Sequence, residues 1–467
     1  MAELDPALQD EINELQTRHT ALVDAVRNYS GGSIAQATND LLAAQAQTES
    51  TIDEREAALL GLIQRNTTKP VPSLLSDFAT RTYMTGVRRL EHGVGVHDMW
   101  GISRASSRLV WGASGKLVEV GVDEAAYSYD PETGSPRGVS VEPTRTNMVA
   151  NSNLLNGWAT SRVAVTTNVE MGYDGTEKVV PTLIPDTEDN NHFIYWDYFS
   201  VSPDTTYTIS AWVEDENYHR LRFIFRSSIG TAPENSSLSL ETIEESPGWK
   251  RLGYTFTTPS DCEDLQVRLY LYEGSSITYP GDGETGTRMD ECVVEEGRSA
   301  STTIPTSGST VTRDADVVRR TLGDEYNPNG FSVYADAQQR SDIGSVFFLN
   351  SGGLSNSMRV GLPSNGDNAL FVVTNGNIQA VIPLADFAGY TPGDPAKILL
   401  AVDPANGQVR LTINGETVTR NVSEFPKLDE KRIGGVSGNN NNINGTVHDC
   451  IMYPAAISQA DAEAMAP

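Results

Sequence analysis

From Leu8 onward, apolar side chains recur at alternating steps of four and three: Leu8, Ile12, Leu15, Leu22, Val26 and Tyr29 share one stripe with His19. This spacing is a heptad seam. Asp5 before Pro6 starts the helix, and the "GGS" at 31–33 interrupts it. Ser33 and Gln36 then form a capping box that restarts a helix, with a seam through Ile34, Leu41, Ile52, Leu59 and Leu62 and polar layers at Thr38, Gln45, Thr48 and Arg55. Polar seam residues weaken a coiled coil while fixing its register and oligomer state. The pattern therefore predicts an α-helical coiled-coil stalk joining copies of the chain, a trimer being expected. An intramolecular pair of amphipathic helices is the alternative.

Two prolines in "TTKPVPS" at 67–73 end the helical period. Beyond them the period is two, with turn signals at intervals of about ten residues. In "TYTISAWVE" the alternation puts Tyr207, Ile209, Ala211 and Val213 on one face; in "DLQVRLYLYE" it puts Leu265, Val267, Leu269 and Leu271 inward and Arg268, Tyr270 and Tyr272 outward. Antiparallel strands with one wet face predict a sandwich. Later runs such as "GFSVYADA", "NALFVVTNG", "AKILLAVD" and "QVRLTINGETVT" predict a second sandwich, with a hairpin turn at Asn414-Gly415 and a short final helix capped by Ser458.

Composition narrows the function classes. The 467 residues exceed a single core and hold 34 basic against 62 acidic side chains, a formal charge of −28. Such a surface repels a phosphate backbone, so no nucleic-acid partner is expected. No apolar run approaches the roughly 18 residues of a spanning helix, and the acidic "MAELDPALQDEI" does not resemble a secretory signal, so membrane insertion is not expected. Cys262, Cys292 and Cys450 give no metal or disulfide framework and are expected as buried or incidental thiols, a Cys262–Cys292 bridge inside one sandwich being the alternative. G-x-S-x-G, H-E-x-x-H and P-loop spacings are all missing from the sequence. No catalytic residue and no cofactor are expected on these grounds, although paired carboxylates of a polysaccharide depolymerase would be invisible in sequence.

The run "RASSRLVWGASGKLVEVGVDEAAYSYDPETGSPRGVSVEPTRTNMVANSNLLNGW" resembles a segment of tailed-phage virion and tail-fibre proteins, in which a "VE-x-x-RTN" junction opens a carbohydrate-binding-like sandwich. The sandwich region itself resembles the family 4/9 carbohydrate-binding modules through Trp158, "YTISAWV", "GWKRLGYTFTTP" and the closing "MDECVVEEGRSASTTIPTSGSTVTRDADV". The last part of the chain resembles, more loosely, laminin G or concanavalin-like jelly rolls through "LTINGE", "GGVSG" and "VHDCIMYPAAISQADAEAMA". The chain thus divides into four regions: a helical attachment and oligomerisation region at 1–70, a small β collar at 71–145, a module-like sandwich at 146–315 and a jelly roll at 316–467. The expected fold class is mainly β after the stalk.

The resemblance implies a fibre or spike on a virion, attached to other virion proteins through its N-terminus and binding host surface glycans. A capsid-attached fibre or decoration protein is the structural alternative. Sugar recognition needs aromatic faces to stack on pyranose rings and polar groups to read hydroxyls. Trp196, Trp212, Tyr270 and Tyr272, with Arg222 and Arg268 beside them, are the candidates. The resemblance also implies a structural calcium, for which Asp290 occupies the place of the family's closing-strand ligand.

Overall fold

The computed structural model describes residues 72–467 except 86–87, 92–95, 155–156, 215–219, 238–239, 342–343, 364 and 437–441. The expected coiled-coil seam from Leu8 to Leu62 lies outside the described residues. The described part is mainly β, with short helices at Val96–Met99 and Gln459–Met465, and no helix among these residues is long and apolar enough to cross a membrane.

The C-terminal sandwich is built from both ends of the described chain. One of its sheets runs in the order Thr82–Thr85, Leu74–Asp77, Gly445–Tyr453, Phe331–Gln339, Pro395–Asp403, Gln408–Ile413, Glu416–Asn421, and Pro136–Val141 also pairs with Gly445–Tyr453. The other has seven strands and takes in Gly101–Ser103, which pairs with Val317–Thr321. The expected separate collar at 71–145 is corrected accordingly: most of its strands are strands of this sandwich. The reason is burial. Leu74, Phe78, Tyr83, Trp100, Val139 and Val141 carry more apolar surface than short hairpins can cover alone, and they enter one core with Phe347, Leu400 and Val447.

The module-like sandwich is an insertion between the strands of that host. Its incoming strand Arg145–Asn147 pairs antiparallel with its outgoing strand Val311–Arg313, so the two ends of the insert lie side by side. Pro143 cannot donate to a ladder, and the host strand Pro136–Val141 ends just before it. A buried ion-pair network fastens the junction. Asp316 takes Arg104 at 2.7 Å and Arg108 at 2.5 Å, while Glu142 takes Arg108 at 2.9 Å and Arg313 at 2.6 Å.

Within the insert, one sheet has the order Val163–Met171, Glu177–Pro185, Thr287–Glu296, Thr206–Glu214, Trp249–Thr257, Glu241–Ser246. In the facing sheet Asp264–Tyr272 is central, flanked by Asn190–Tyr195 and Arg220–Arg226. Tyr207, Ile209, Ala211, Val213, Leu265, Val267, Leu269 and Leu271 all lie in the core between these sheets, on the face that alternation assigns them. All three cysteines are free and buried. In the host, Asn414 and Gly415 both have positive φ, 45° and 82°, as a two-residue hairpin turn requires, and Ser458 caps the final helix by accepting from the Asp461 N–H.

Candidate functional site

Because Ile194, Phe223, Leu269 and Leu271 point into the core, their neighbours on Asn190–Tyr195, Arg220–Arg226 and Asp264–Tyr272 point out of the second sheet. Register aligns these in two rows. Phe193, Tyr270 and Arg222 lie directly across the three strands in one row, and Tyr195, Arg268 and Ile224 in the next. Phe193 stacks on Tyr270 with ring centroids 4.4 Å apart and planes 5° from parallel. The Arg268 guanidinium lies 5.2 Å from the Phe193 ring centroid and 5.6 Å from that of Tyr195, and Arg268 Nε donates to Gln266 Oε1 at 2.8 Å. Arg222 Nε donates to the Ser236 carbonyl at 2.9 Å, which leaves the rest of its fork to other partners. Phe193, Tyr195, Arg222 and Arg268 are half-buried, so the grid keeps part of both its aromatic and its cationic side chains open to solvent.

Of the expected sugar-contact residues, Arg222 and Arg268 are on this face with part of their surface open. Tyr270 and Tyr272 are on it as well, yet 4% and 3% exposed, so they form its floor rather than a stacking platform. Trp196 is half-buried outside the grid and packs on Trp158 at 5.7 Å. Trp212 belongs to the other sheet. It points away from the core as alternation requires, yet it is 0% exposed. The hairpin of Arg108–Trp111 and Leu117–Val120 covers it, with Trp111 edge-on at 6.1 Å and Tyr173 stacked at 4.7 Å. Its indole N–H donates to Thr303 Oγ1 at 3.1 Å. Trp212 is therefore part of a second small core with Trp111, Tyr173, Val180 and Trp249. Phe193 and Tyr195 are not among the residues expected from sequence, although "NNHFIYW" carries the same alternation.

Asp290 is fully buried, and the Lys178 ammonium lies 2.7 Å from its Oδ2. The same ammonium is 3.6 Å from Asp174 and 3.9 Å from Glu291. Glu291 sits at a bulge opposite Ala211 and Trp212 with φ 45°, which places two consecutive carboxylates in the interior. Burial, and then the charge of Asp290, push the Glu291 carboxyl up to about 7. A lysine thus supplies the positive charge at the position where the resemblance implies calcium.

A polar cleft of about 440 Å³ lies between the insert and the host, lined among others by Glu244, Arg251, Tyr254, Arg298, Gln338 and Arg340. It is a concave surface able to hold a hydrophilic ligand.

The sequence matches no family model and no curated protein. Among solved structures, the carbohydrate-binding module CBM40 of the Ruminococcus gnavus IT-sialidase bound to α2,3 sialyllactose aligns with 30% of this chain and 84% of its own, at 16% identity and a TM-score of 0.27. The CBM22-1 xylan-binding domain of Paenibacillus barcinonensis Xyn10C aligns with 33% of this chain and 94% of its own, at 16% identity and a TM-score of 0.22. Trypanosoma rangeli sialidase aligns with 65% of this chain and 61% of its own, at 9% identity and a TM-score of 0.25.

Proposed function

We propose that this chain is a fibre protein on the virion surface of a tailed phage, whose inserted sandwich recognises host glycans through the outer face of its second sheet. The observation that carries the recognition part is the cross-strand grid in which Arg268 lies over Phe193 and Tyr195 with Arg222 one row away. Aromatic rings pack on the apolar C–H surface of a sugar, and guanidinium forks donate to its hydroxyls or to a carboxylate. The virion part rests on the ordered sequence resemblance from the "VEPTRTN" junction to the closing strand. Each site is small, so affinity would come from repetition: a trimer displayed several times per particle gains avidity by roughly 10² to 10⁴ when geometry permits simultaneous contact. The role is recognition without bond cleavage, and attachment is through the N-terminus to the tail.

The test is a glycan array probed with full-length protein alongside the Arg268→Ala, Tyr195→Ala and Arg340→Ala variants. Binding lost in the first two, with unchanged melting temperatures, supports the sheet face. Loss only in Arg340→Ala moves the site to the cleft. No binding by wild type overturns glycan recognition, and shortened glycans after incubation would make the protein a depolymerase. Gold label on the N-terminal segment at the capsid instead of the tail would make it a capsid fibre.

A further inference from the structure

On the outer face of the first host sheet, three aspartates stand in one row. Asp77 pairs directly with Asp449, and Asp449 pairs directly with Asp336, so three neighbouring strands put like charges side by side. Cross-strand pairs of like charge are destabilising unless something of opposite charge joins them. A histidine completes the group. The register shifts between Asp336 and Ala337, and the residue left over on the opposite strand is His448. Such a bulge re-aims a side chain that strict alternation would send to the other face. The chain makes room for it at Gly138, whose φ is 88° and where a Cβ would collide with the Val447 carbonyl oxygen and the His448 Cα. As a result His448 Nδ1 lies 3.3 Å from Asp449 Oδ2, and ligand atoms of Asp77, His448 and Asp449 all fall within 4.8 Å of one another.

We infer that Asp77, His448 and Asp449, with Asp336 at the rim, form a binding site for a first-row transition-metal dication of the zinc type. An imidazole nitrogen among carboxylate oxygens suits such an ion, whereas calcium and magnesium prefer oxygen alone. Lys397 lies directly across from Asp336 at one end, and at the other end the Asp77 carboxylate accepts from the Thr80 N–H at 2.8 Å and the Thr80 hydroxyl at 2.6 Å. Those bonds orient Asp77 and leave lone pairs for a metal. The ion would join Leu74–Asp77, the first described strand, to the closing strand Gly445–Tyr453. Any pull arriving from the N-terminal side would then meet a metal staple as well as four residue pairs.

The experiment is calorimetric titration of chelator-treated full-length protein with zinc, manganese and calcium chlorides, compared with His448→Gln, Asp449→Asn and, as a control for surface histidine, His97→Gln. Wild type and His97→Gln are expected to take up one zinc ion per chain and to melt at a higher temperature with it, by mass action. His448→Gln and Asp449→Asn are expected to lose affinity on the order of tenfold or more, while melting like wild type in chelator. Failure of wild type to bind zinc, uptake undiminished in both variants, or tighter binding of calcium than of zinc would each overturn the proposal.

Discussion

The carboxylate of Glu142 lies 2.6 Å from the guanidinium of Arg313, so the last host residue before the inserted sandwich's incoming strand is ion-paired to the end of its outgoing strand. Both side chains are buried. Glu142 also takes Arg108 at 2.9 Å and accepts from the Thr302 hydroxyl at 2.7 Å, and Arg313 Nη1 donates to the Thr302 carbonyl at 3.2 Å. The junction "VEPTRTN" and the segment "VTRDADV" are thus two halves of one clamp.

Removing one member of a buried pair leaves the other charge unpaired. Glu142→Ala should therefore cost about 3–5 kcal/mol, since Arg108 and Arg313 both lose their shared carboxylate. Urea unfolding followed by fluorescence checks this through a lower midpoint; an unchanged midpoint would mean that the clamp contributes nothing to folding.

The clamp also sets an acid limit. Burial alone would raise the Glu142 pKa, but Arg108, Arg313 and the Thr302 hydrogen bonds outweigh it and hold the carboxyl at about 2. The folded value lies below the ordinary glutamate value of about 4.3, so this stabilisation is complete above that pH and is lost as pH falls toward 2. Melting temperature should decline from about pH 5 downward, and the decline should be shallower in Glu142→Gln than in wild type.

Trp111 covers Trp212 edge-on and donates its indole N–H to Glu244 Oε1 at 2.5 Å. Trp111→Ala should cost about 3–5 kcal/mol, as for other large core truncations, and should shift the tryptophan emission to the red as water reaches Trp212. Emission unchanged in wavelength would show that the hairpin does not shield it.

Lys178 holds Asp290 at 2.7 Å in an interior that also contains Glu291. Wild-type melting temperature should accordingly be insensitive to added calcium. Lys178→Ala should be destabilised by about 3 kcal/mol or more and should regain stability with millimolar calcium, because its buried carboxylates then lack a cation. A wild-type protein that gains stability from calcium would show that the ammonium yields its place to the metal.

Much of the local architecture was legible in the chain. Period-two alternation put Ile209, Val267 and Leu269 inward, and they are in the core; Asn414-Gly415 makes its tight turn, and Ser458 caps its helix. The site was legible only in part. Arg222 and Arg268 are on the outer face, but the rings beside Arg268 with surface still open belong to Phe193 and Tyr195, while Tyr270 and Tyr272 are its floor.

The sequence by itself determined the features set by the pleat and the turn: which strands form, and which of their two faces each side chain takes, because these depend on neighbours one or two residues away. Only the tertiary structure decided what lies against the outward faces. Trp212 is outward in its strand and still sealed, because a hairpin from a region expected to be a separate collar packs on it. Asp290 meets Lys178, Asp77 meets Asp449, and Glu142 meets Arg313 through pairings between segments far apart in the chain. Alternation assigns a face, but burial and charge pairing depend on which distant surface is brought against it, and that information is not held in any local period.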